Sequence, residues 1–321
     1  MNESFLKDAF GRRFRRHESL TKHSSLRIGG SASYWFEVSS LEELSWVHDF
    51  AEQIGQQVTP VGLGSNVLFG DDGIDGIAIR LVGGLAQWVI RPAGETALVS
   101  IGAGTVNAHL VRGLLEAGWV ELEFLALIPG TFGGAIAMNA GTREKELSSN
   151  LRRVELFAPD EPGMVTVLEA SQIEISYRHT ALPKGSIVTG GTVEVRRGDV
   201  DAARERVQTD KDRRNETQPY RLASAGSTFA NPEGDYAGRL IEAVGLKGHR
   251  IGGARISPLH ANFFINEGNA SAEDFLRLMA MARVRVRRTF GIELRPEVRF
   301  VGFDGWTRLQ DIEQELEEHG C

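Results

Sequence analysis

The sequence predicts an α+β chain, on three observations. A strand, a helix and a second strand follow one another in the span 33–63. Short apolar runs bounded by turn residues then recur between Gly73 and Gly104, the pattern of an antiparallel or mixed sheet. Near residue 198 the chain changes character, with dense charge over 199–217 and a further helix, apolar on one face, at 271–288.

The elements are read in chain order. Residues 1–20 mix Arg12, Arg13, Arg15 and Arg16 with Glu3, Asp8 and Glu18, and are expected as a charged leader or a short helix. Ser33–Val38 is apolar and aromatic, hence a strand. Ser40 stands three residues before Glu43 and opens a helix to about Gln53, because its hydroxyl can accept an N–H that the first turn leaves unpaired. Val58–Leu63 reads as a buried strand entering a glycine turn. Ile77–Leu81, Trp88–Ile90 and Ala97–Ile101 are expected strands, followed by a helix from Val106 to Ala117 that Gly118 ends. Strands resume at Val154–Phe157, Val165–Leu168 and Ile187–Val195. Residues 199–217 are a solvated helix of alternating charge. A helix from Ser271 to Arg288 puts Phe275, Leu278, Met279 and Ala282 on one face. Its last turn gathers Arg283, Arg285, Arg287 and Arg288, expected to serve the fold by complementing the helix dipole. The acidic chain after Asp311 is expected to be peripheral. The organisation expected is therefore 1–198 with a break near 75–85, then 199–305, then an acidic tail at 306–321.

Composition excludes several classes. The formal charge of −7 gives no basic field for nucleic acid. No run approaches the ~18 apolar residues of a membrane span, and the first thirty residues lack a signal-like apolar core. The single cysteine, Cys321, can form no internal disulfide and no cysteine metal site, which fits a cytoplasmic protein. His, Asp and Glu show no metal spacing, so no metal is expected.

Two segments need more than folding to explain them. In Pro60-Val61-Gly62-Leu63-Gly64-Ser65-Asn66-Val67 a buried strand empties into glycines and small polar residues, whose N–H groups and hydroxyl could hold phosphate oxygens. The dinucleotide fingerprint fails here, because Val67 stands where a third glycine belongs, and no Walker lysine follows. In Ile128-Pro129-Gly130-Thr131-Phe132-Gly133-Gly134-Ala135-Ile136-Ala137-Met138-Asn139-Ala140-Gly141 there is little side-chain bulk, as suits a large planar cofactor with a diphosphate. A branched side chain at Gly133 is expected to collide with that ligand.

These loops resemble the FAD-binding loops of the UDP-N-acetylenolpyruvoylglucosamine reductase (MurB) family. The resemblance extends through Ser25-Leu26-Arg27-Ile28-Gly29-Gly30, Ser176-Tyr177-Arg178, Ala225-Gly226-Ser227-Thr228-Phe229, Gly238 to Gly248, His260-Ala261-Asn262-Phe263 and Pro296-Glu297-Val298-Arg299-Phe300. It implies a vanillyl-alcohol-oxidase/PCMH-type FAD-binding fold in two subdomains, plus a C-terminal α/β substrate-binding domain. It also implies reduction of UDP-N-acetylglucosamine enolpyruvate by NADPH through FAD, in a monomer or weak oligomer.

The implied cofactor contacts are Arg27, Gly62, Gly64, Ser65, Asn66, Pro129, Gly130, Thr131, Gly133, Gly134, Asn139 and Gly141. Arg178 is implied as the cation, Ser227 as the proton donor and Glu297 as a hydrogen-bonding acid, kept protonated if burial raises its pKa. Tyr177, Lys211, Arg214, Asn231 and Lys247 are implied for the diphosphate and amide groups of the substrate. His179 and His260 look like pocket or packing histidines. The chain departs from the family at Leu127, usually glycine, and at Thr142-Arg143-Glu144, usually like Ala-Tyr-Gly, and resembles the shorter, second branch. A different flavoprotein of the superfamily and a non-catalytic UDP-sugar-binding module remain as alternatives at this point.

Overall fold

Ser40 caps its helix as the sequence predicts. Its Oγ accepts the Glu43 N–H at 3.1 Å, and the helix runs Leu41–Gln53. The Glu43 carboxylate does not close the box on Ser40. It accepts the Ser39 N–H at 2.6 Å and pairs with Arg13 at 2.6 Å, an interaction that holds its pKa below the usual carboxylate range against the opposing effect of burial. The computed structural model describes residues 2–142, 144–158 and 164–319, so Cys321 and Arg143 lie outside the described residues.

The chain divides into two units, each assembled from several stretches. The first comprises Met1–Arg16, Tyr34–Leu63 and Gly76–Asp212; the second comprises His17–Ser33, Gly64–Asp75 and Arg213–Cys321. A single cut near residue 198 does not describe them, because unit boundaries fall inside the strands Phe14–Ser19, Ser31–Val38 and Gly73–Leu81.

A four-stranded sheet has the order Phe14–Ser19, Ser31–Val38, Gly73–Leu81, Val58–Pro60. Val58–Pro60 lies parallel to Gly73–Leu81, as an intervening connection permits. Helix Leu41–Gln53 covers Phe36, Val38, Ile77 and Ile79 with Leu44, Val47 and Phe50. Of the two readings of residues 1–20, the short helix is the one that forms, and it belongs to this layer: helix Glu3–Phe10 buries Leu6 and Phe10, and Phe14 stacks on Phe36 at 4.9 Å between ring centres. Leu6 and Phe10, about one helical turn apart, form its buried face, and Phe5 meets the Trp46 ring edge-on at 5.2 Å between ring centres.

A larger antiparallel sheet holds the rest of the first unit, in the order Val165–Glu169, Leu151–Phe157, Ile187–Arg197, Thr96–Gly102, Trp88–Ala93. Helices Asn107–Glu116 and Phe132–Ala137 place Leu110, Val111, Leu114, Phe132 and Ile136 in one core with Val99, Ile101, Val193 and Val195. Each such buried side chain stabilises by about 1.5–3 kcal/mol relative to exposure.

The second unit is built on a sheet of Ala223–Ser227, Phe263–Asn266, Ala254–Ile256 and Arg250–Ile251, and it also holds a separate parallel pair, Arg299–Val301 and Val67–Phe69. Helix Ala272–Phe290 starts at a reciprocal box: Ser271 Oγ accepts the Asp274 N–H at 3.0 Å, and Asp274 Oδ2 accepts the Ser271 N–H at 3.1 Å. It ends at Gly291 with φ 69°. The expected peripheral tail is a second packed helix, Gly305–Glu318, with Leu309 and Ile312 in the core. Glu313 is also buried and pairs with buried Arg283, while Arg287 pairs with Glu293, Glu313 and Glu317. The arginine cluster and the acidic tail thus explain each other. No described helix is long and apolar enough to cross a membrane.

Candidate functional site

Arg178, implied as the cation, sits in a turn. Ile175–Ser176 and His179–Thr180 form a minimal hairpin, with Tyr177 and Arg178 between them and Arg178 at φ 58°. A left-handed arginine is uncommon and persists only where surrounding contacts fix it. Those contacts are present. Nη2 donates to the Gly141 carbonyl at 2.8 Å, Nη1 lies 3.5 Å from Glu146, and the guanidinium sits 4.6 Å from the Tyr177 ring centre. Its side chain is only 16% exposed. The result is an aimed, mostly buried cation.

Asn139 fastens the same cluster. At φ 39°, its Nδ2 donates to Glu146 at 2.9 Å and to the Ser176 carbonyl at 3.1 Å, while Oδ1 accepts the Ser148 N–H at 3.0 Å. Within the first unit the structure therefore brings Asn139, Gly141, Tyr177 and Arg178 together around Glu146. Sequence reasoning missed Glu146, which carries no motif of its own and is recognised only by its contacts. His179 is exposed.

The glycines of the second loop differ in what they face. A side chain at Gly133 would meet Ala103 Cβ at 2.8 Å and the Ala103 carbonyl at 3.2 Å. The expectation that Gly133 is bare for a ligand is corrected: its missing side chain lets the short helix Phe132–Ala137 approach the sheet. Gly62 likewise faces buried Thr131, whose Oγ1 would lie 2.8 Å from an added Cβ. Gly134 is exposed and open, with Thr131 Oγ1 at 3.7 Å the nearest atom to a Cβ there. Asn107 donates its backbone N–H to the Gly130 carbonyl and its Nδ2 to the Ile128 carbonyl, which fixes the loop around Pro129.

In the second unit, Gly64 has φ 62°, and its bare α carbon lies against the backbone of His23, whose carbonyl would be 1.9 Å from a Cβ. Only glycine fits there. Ser25 holds this turn by donating its N–H to the Gly64 carbonyl and its Oγ–H to the Ser224 carbonyl at 2.7 Å. Asn66 Nδ2 donates to the Glu297 carbonyl at 3.1 Å, and the Asn66 carbonyl accepts the Arg299 N–H. Arg27 is exposed in a left-handed turn between buried Leu26 and Ile28, anchored by Asn266 Nδ2 on the Leu26 and Arg27 carbonyls.

Ser227 stands at the end of a bulged strand. Ser224 pairs with Ile265 and Ser227 with Phe263, so three steps on one strand match two on the other. Gly226, at φ 77°, absorbs the extra residue. A bulge turns the side chains that follow it, and here it re-aims Ser227. Glu297 lies just before strand Arg299–Val301 rather than in it, and its N–H donates to the Thr228 carbonyl at 2.9 Å. Ser227 and Glu297 are thus on adjoining backbones, and both are half-buried.

The remaining candidates are less concentrated. Lys211 is exposed on helix Val200–Thr217, and Arg214 donates to the Tyr220 hydroxyl at 3.1 Å. Asn231 accepts the Ala237 N–H with Oδ1 at the start of helix Ala237–Ala243, and Lys247 pairs with Glu242 at 2.9 Å. Burial first, then the charge of Lys247, lowers the pKa of His260, and its Nδ1 accepts the Asn262 N–H at 3.2 Å. Among the described residues, no group of three or more His, Cys, Asp or Glu side chains could hold a metal ion.

Comparisons with known proteins fit this geometry. A profile described as an FAD binding domain matches residues 32–163, and one described as the C-terminal domain of UDP-N-acetylenolpyruvoylglucosamine reductase matches 218–301. The chain is 41% identical over 287 residues to the UDP-N-acetylenolpyruvoylglucosamine reductase of Anaeromyxobacter sp., covering 89% of this chain and 88% of that one. It is 42% identical over 288 residues to the enzyme of that name from Methylococcus capsulatus, covering 89% and 92%. The crystal structure of UDP-N-acetylenolpyruvylglucosamine reductase (MurB) from Thermus caldophilus superposes with a TM-score of 0.76 at 35% identity, covering 90% of this chain and 98% of that one.

Proposed function

We propose, on the premise that this chain belongs to the UDP-N-acetylenolpyruvoylglucosamine reductase family, that Arg178, Ser227 and Glu297 divide the work of its reaction. The enzyme reduces UDP-N-acetylglucosamine enolpyruvate to UDP-N-acetylmuramate with NADPH, in the synthesis of peptidoglycan precursors. When bound, FAD supplies the two-electron relay between NADPH and the enolpyruvyl methylene carbon.

The residues present fit that cofactor. Gly134 offers bare, open backbone that a side chain would fill. Gly64, Ser65 and Asn66 would hold the diphosphate, with Gly62, Pro129, Gly130, Thr131, Gly133, Gly134, Asn139 and Gly141 along the dinucleotide, and Arg27 as a further contact. Gly62, Gly133 and Asn139 contribute through packing and hydrogen bonds that shape the loops.

Once hydride has reached the methylene carbon, negative charge gathers on the carboxylate side and the adjacent carbon needs a proton. Arg178, aimed by Gly141 and Glu146, stabilises that charge with its planar fork. Glu297, in its acid form, donates a hydrogen bond to the carboxylate side. Ser227 gives its hydroxyl proton to the carbon and regains one from solvent. Tyr177, Lys211, Arg214, Asn231 and Lys247 bind the diphosphate and amide of the UDP-sugar. The enzyme works in the cytoplasm as a monomer or weak oligomer, away from membranes and nucleic acid. Its charge of −7 gives no basic field to attract nucleic acid.

The observation that carries the assignment of Ser227 is its delivery by a bulge onto a backbone joined to that of Glu297. The two half-reactions test it. Reduction by NADPH needs no proton at the substrate carbon, so Ser227→Ala should reduce within a few-fold of normal. Reoxidation by the enolpyruvyl substrate should slow by at least ~100-fold, the lower range for a positioned acid. Stopped-flow absorbance follows both, and normal reoxidation would remove Ser227 from the role.

A further inference from the structure

The strand that delivers Ser227 ends there, and a single side chain takes over its pairing. Asn262 is 3% exposed. Its Oδ1 accepts the Phe229 N–H at 3.0 Å, and its Nδ2 donates to the Phe229 carbonyl at 2.8 Å. Its own carbonyl accepts the Thr228 N–H at 2.8 Å. One residue therefore satisfies three backbone groups in the two positions after Ser227. On the opposite side, the Thr228 carbonyl accepts the Glu297 N–H at 2.9 Å, and Phe229 bridges Pro296. The segment 228–229 is gripped between Asn262 and the Glu297 backbone.

We propose that Asn262 is a positioning residue for the protonation step, setting where Ser227 stands relative to Glu297. This rests on the reading of Ser227 as the acid. A side-chain amide is the one group that reproduces both the acceptor and the donor of a strand partner at a single position, since it carries a carbonyl and an NH2 in one plane. A regular strand partner would continue the ladder and carry the twist of the sheet past Ser227. The amide instead stops the ladder immediately after the bulge at Gly226, so the segment carrying Ser227 is held from both ends without joining a longer strand. His260 completes the arrangement, its Nδ1 accepting the Asn262 N–H and thereby fixing the backbone from which the amide projects. Displacement of a reacting group by about 1 Å can cost on the order of 100-fold in rate, so a lost clamp is felt in chemistry before it is felt in binding.

The test uses FAD-loaded enzyme and a double-mutant cycle. Asn262→Ala removes both side-chain bonds. Asn262→Ser keeps a hydroxyl in place of the amide without burying a charge, and serves as the milder variant should Asn262→Ala fail to fold. Each should be reduced by NADPH within about 3-fold of normal, and Asn262→Ala should be reoxidised by the enolpyruvyl substrate at least ~30-fold more slowly, with Asn262→Ser between it and the parent. In the Ser227→Ala background, the same change at Asn262 should slow reoxidation by less than about 3-fold, because the group it positions is already gone. A merely structural role would add its full loss in that background, or slow both half-reactions alike, and either result overturns the proposal. So does unimpaired reoxidation of both Asn262 variants where Ser227→Ala is slow. Normal reoxidation of Ser227→Ala by itself overturns the reading of Ser227, and this inference with it.

Discussion

Gly133 and Gly134 are neighbours with the same side chain and different work. At Gly133 the missing Cβ is occupied by Ala103, and at Gly134 it opens onto space with ordinary contact to Thr131. Composition alone merged the two, because a glycine read from sequence announces that something comes close without saying what. The distinction yields a clean experiment. Gly134→Val should leave the fold intact, since the protein itself has room at that Cβ, yet the purified protein should carry little FAD. Gly133→Val should lower the melting temperature, as overpacking costs typically 1–3 kcal/mol. Flavin absorbance per protein and thermal melting of both variants check this. A fully yellow, normally stable Gly134→Val protein would show that the ligand does not approach there. Arg178 carries a similar lesson. The Ser-Tyr-Arg motif was visible, but its left-handed backbone and its hold on Gly141 depend on residues far away in sequence.

The regular elements were legible wherever periodicity and caps agreed. Helices Leu41–Gln53 and Ala272–Phe290 and the strands of the larger sheet came through for that reason. What stayed hidden or undecided were elements whose apolar face is narrow and whose exposed face is heavily charged. Glu3–Phe10 shows two buried residues among charges, and Gly305–Glu318 buries Leu309, Ile312 and Glu313. Its acidity is a complement to Arg283 and Arg287, a pairing that sequence cannot show across some thirty residues of separation. Glu313→Ala should therefore destabilise strongly, by about 3–5 kcal/mol, because it leaves Arg283 buried without that carboxylate. Removing Glu315, which is half-buried and pairs with Arg277 and Arg308 nearer the surface, should cost at most about 1 kcal/mol. Denaturant unfolding of the two variants compares them, and equal stability would mean that the buried pair contributes nothing. The sheet carrying Ser227 was implied by the resemblance alone, and none of its strands was read from the sequence pattern. Its strands are short and one is bulged, and Ser227 was found only through the motif around it.

At the scale of the whole molecule, function was more readable than organisation. The loops and the serine, arginine and glutamate motifs pointed to the family, which the match across 89% of the chain then established. Neither a single boundary near 198 nor a free tail survives in the two units, because 17–33 and 64–75 pack with the chain's last third. Compactness depends on contacts between distant stretches, and motif order does not record them. The central claim is that electrons pass from NADPH through FAD to an enolpyruvyl carbon on this protein. The measurement that meets it most directly is the visible spectrum of the purified enzyme under anaerobic conditions, before and after stoichiometric NADPH, and then after UDP-N-acetylglucosamine enolpyruvate. The account predicts flavin absorbance that bleaches with NADPH and returns in full with the substrate, as UDP-N-acetylmuramate appears in equal amount. A flavin that NADPH cannot bleach, or one that stays bleached until oxygen is admitted, would contradict it.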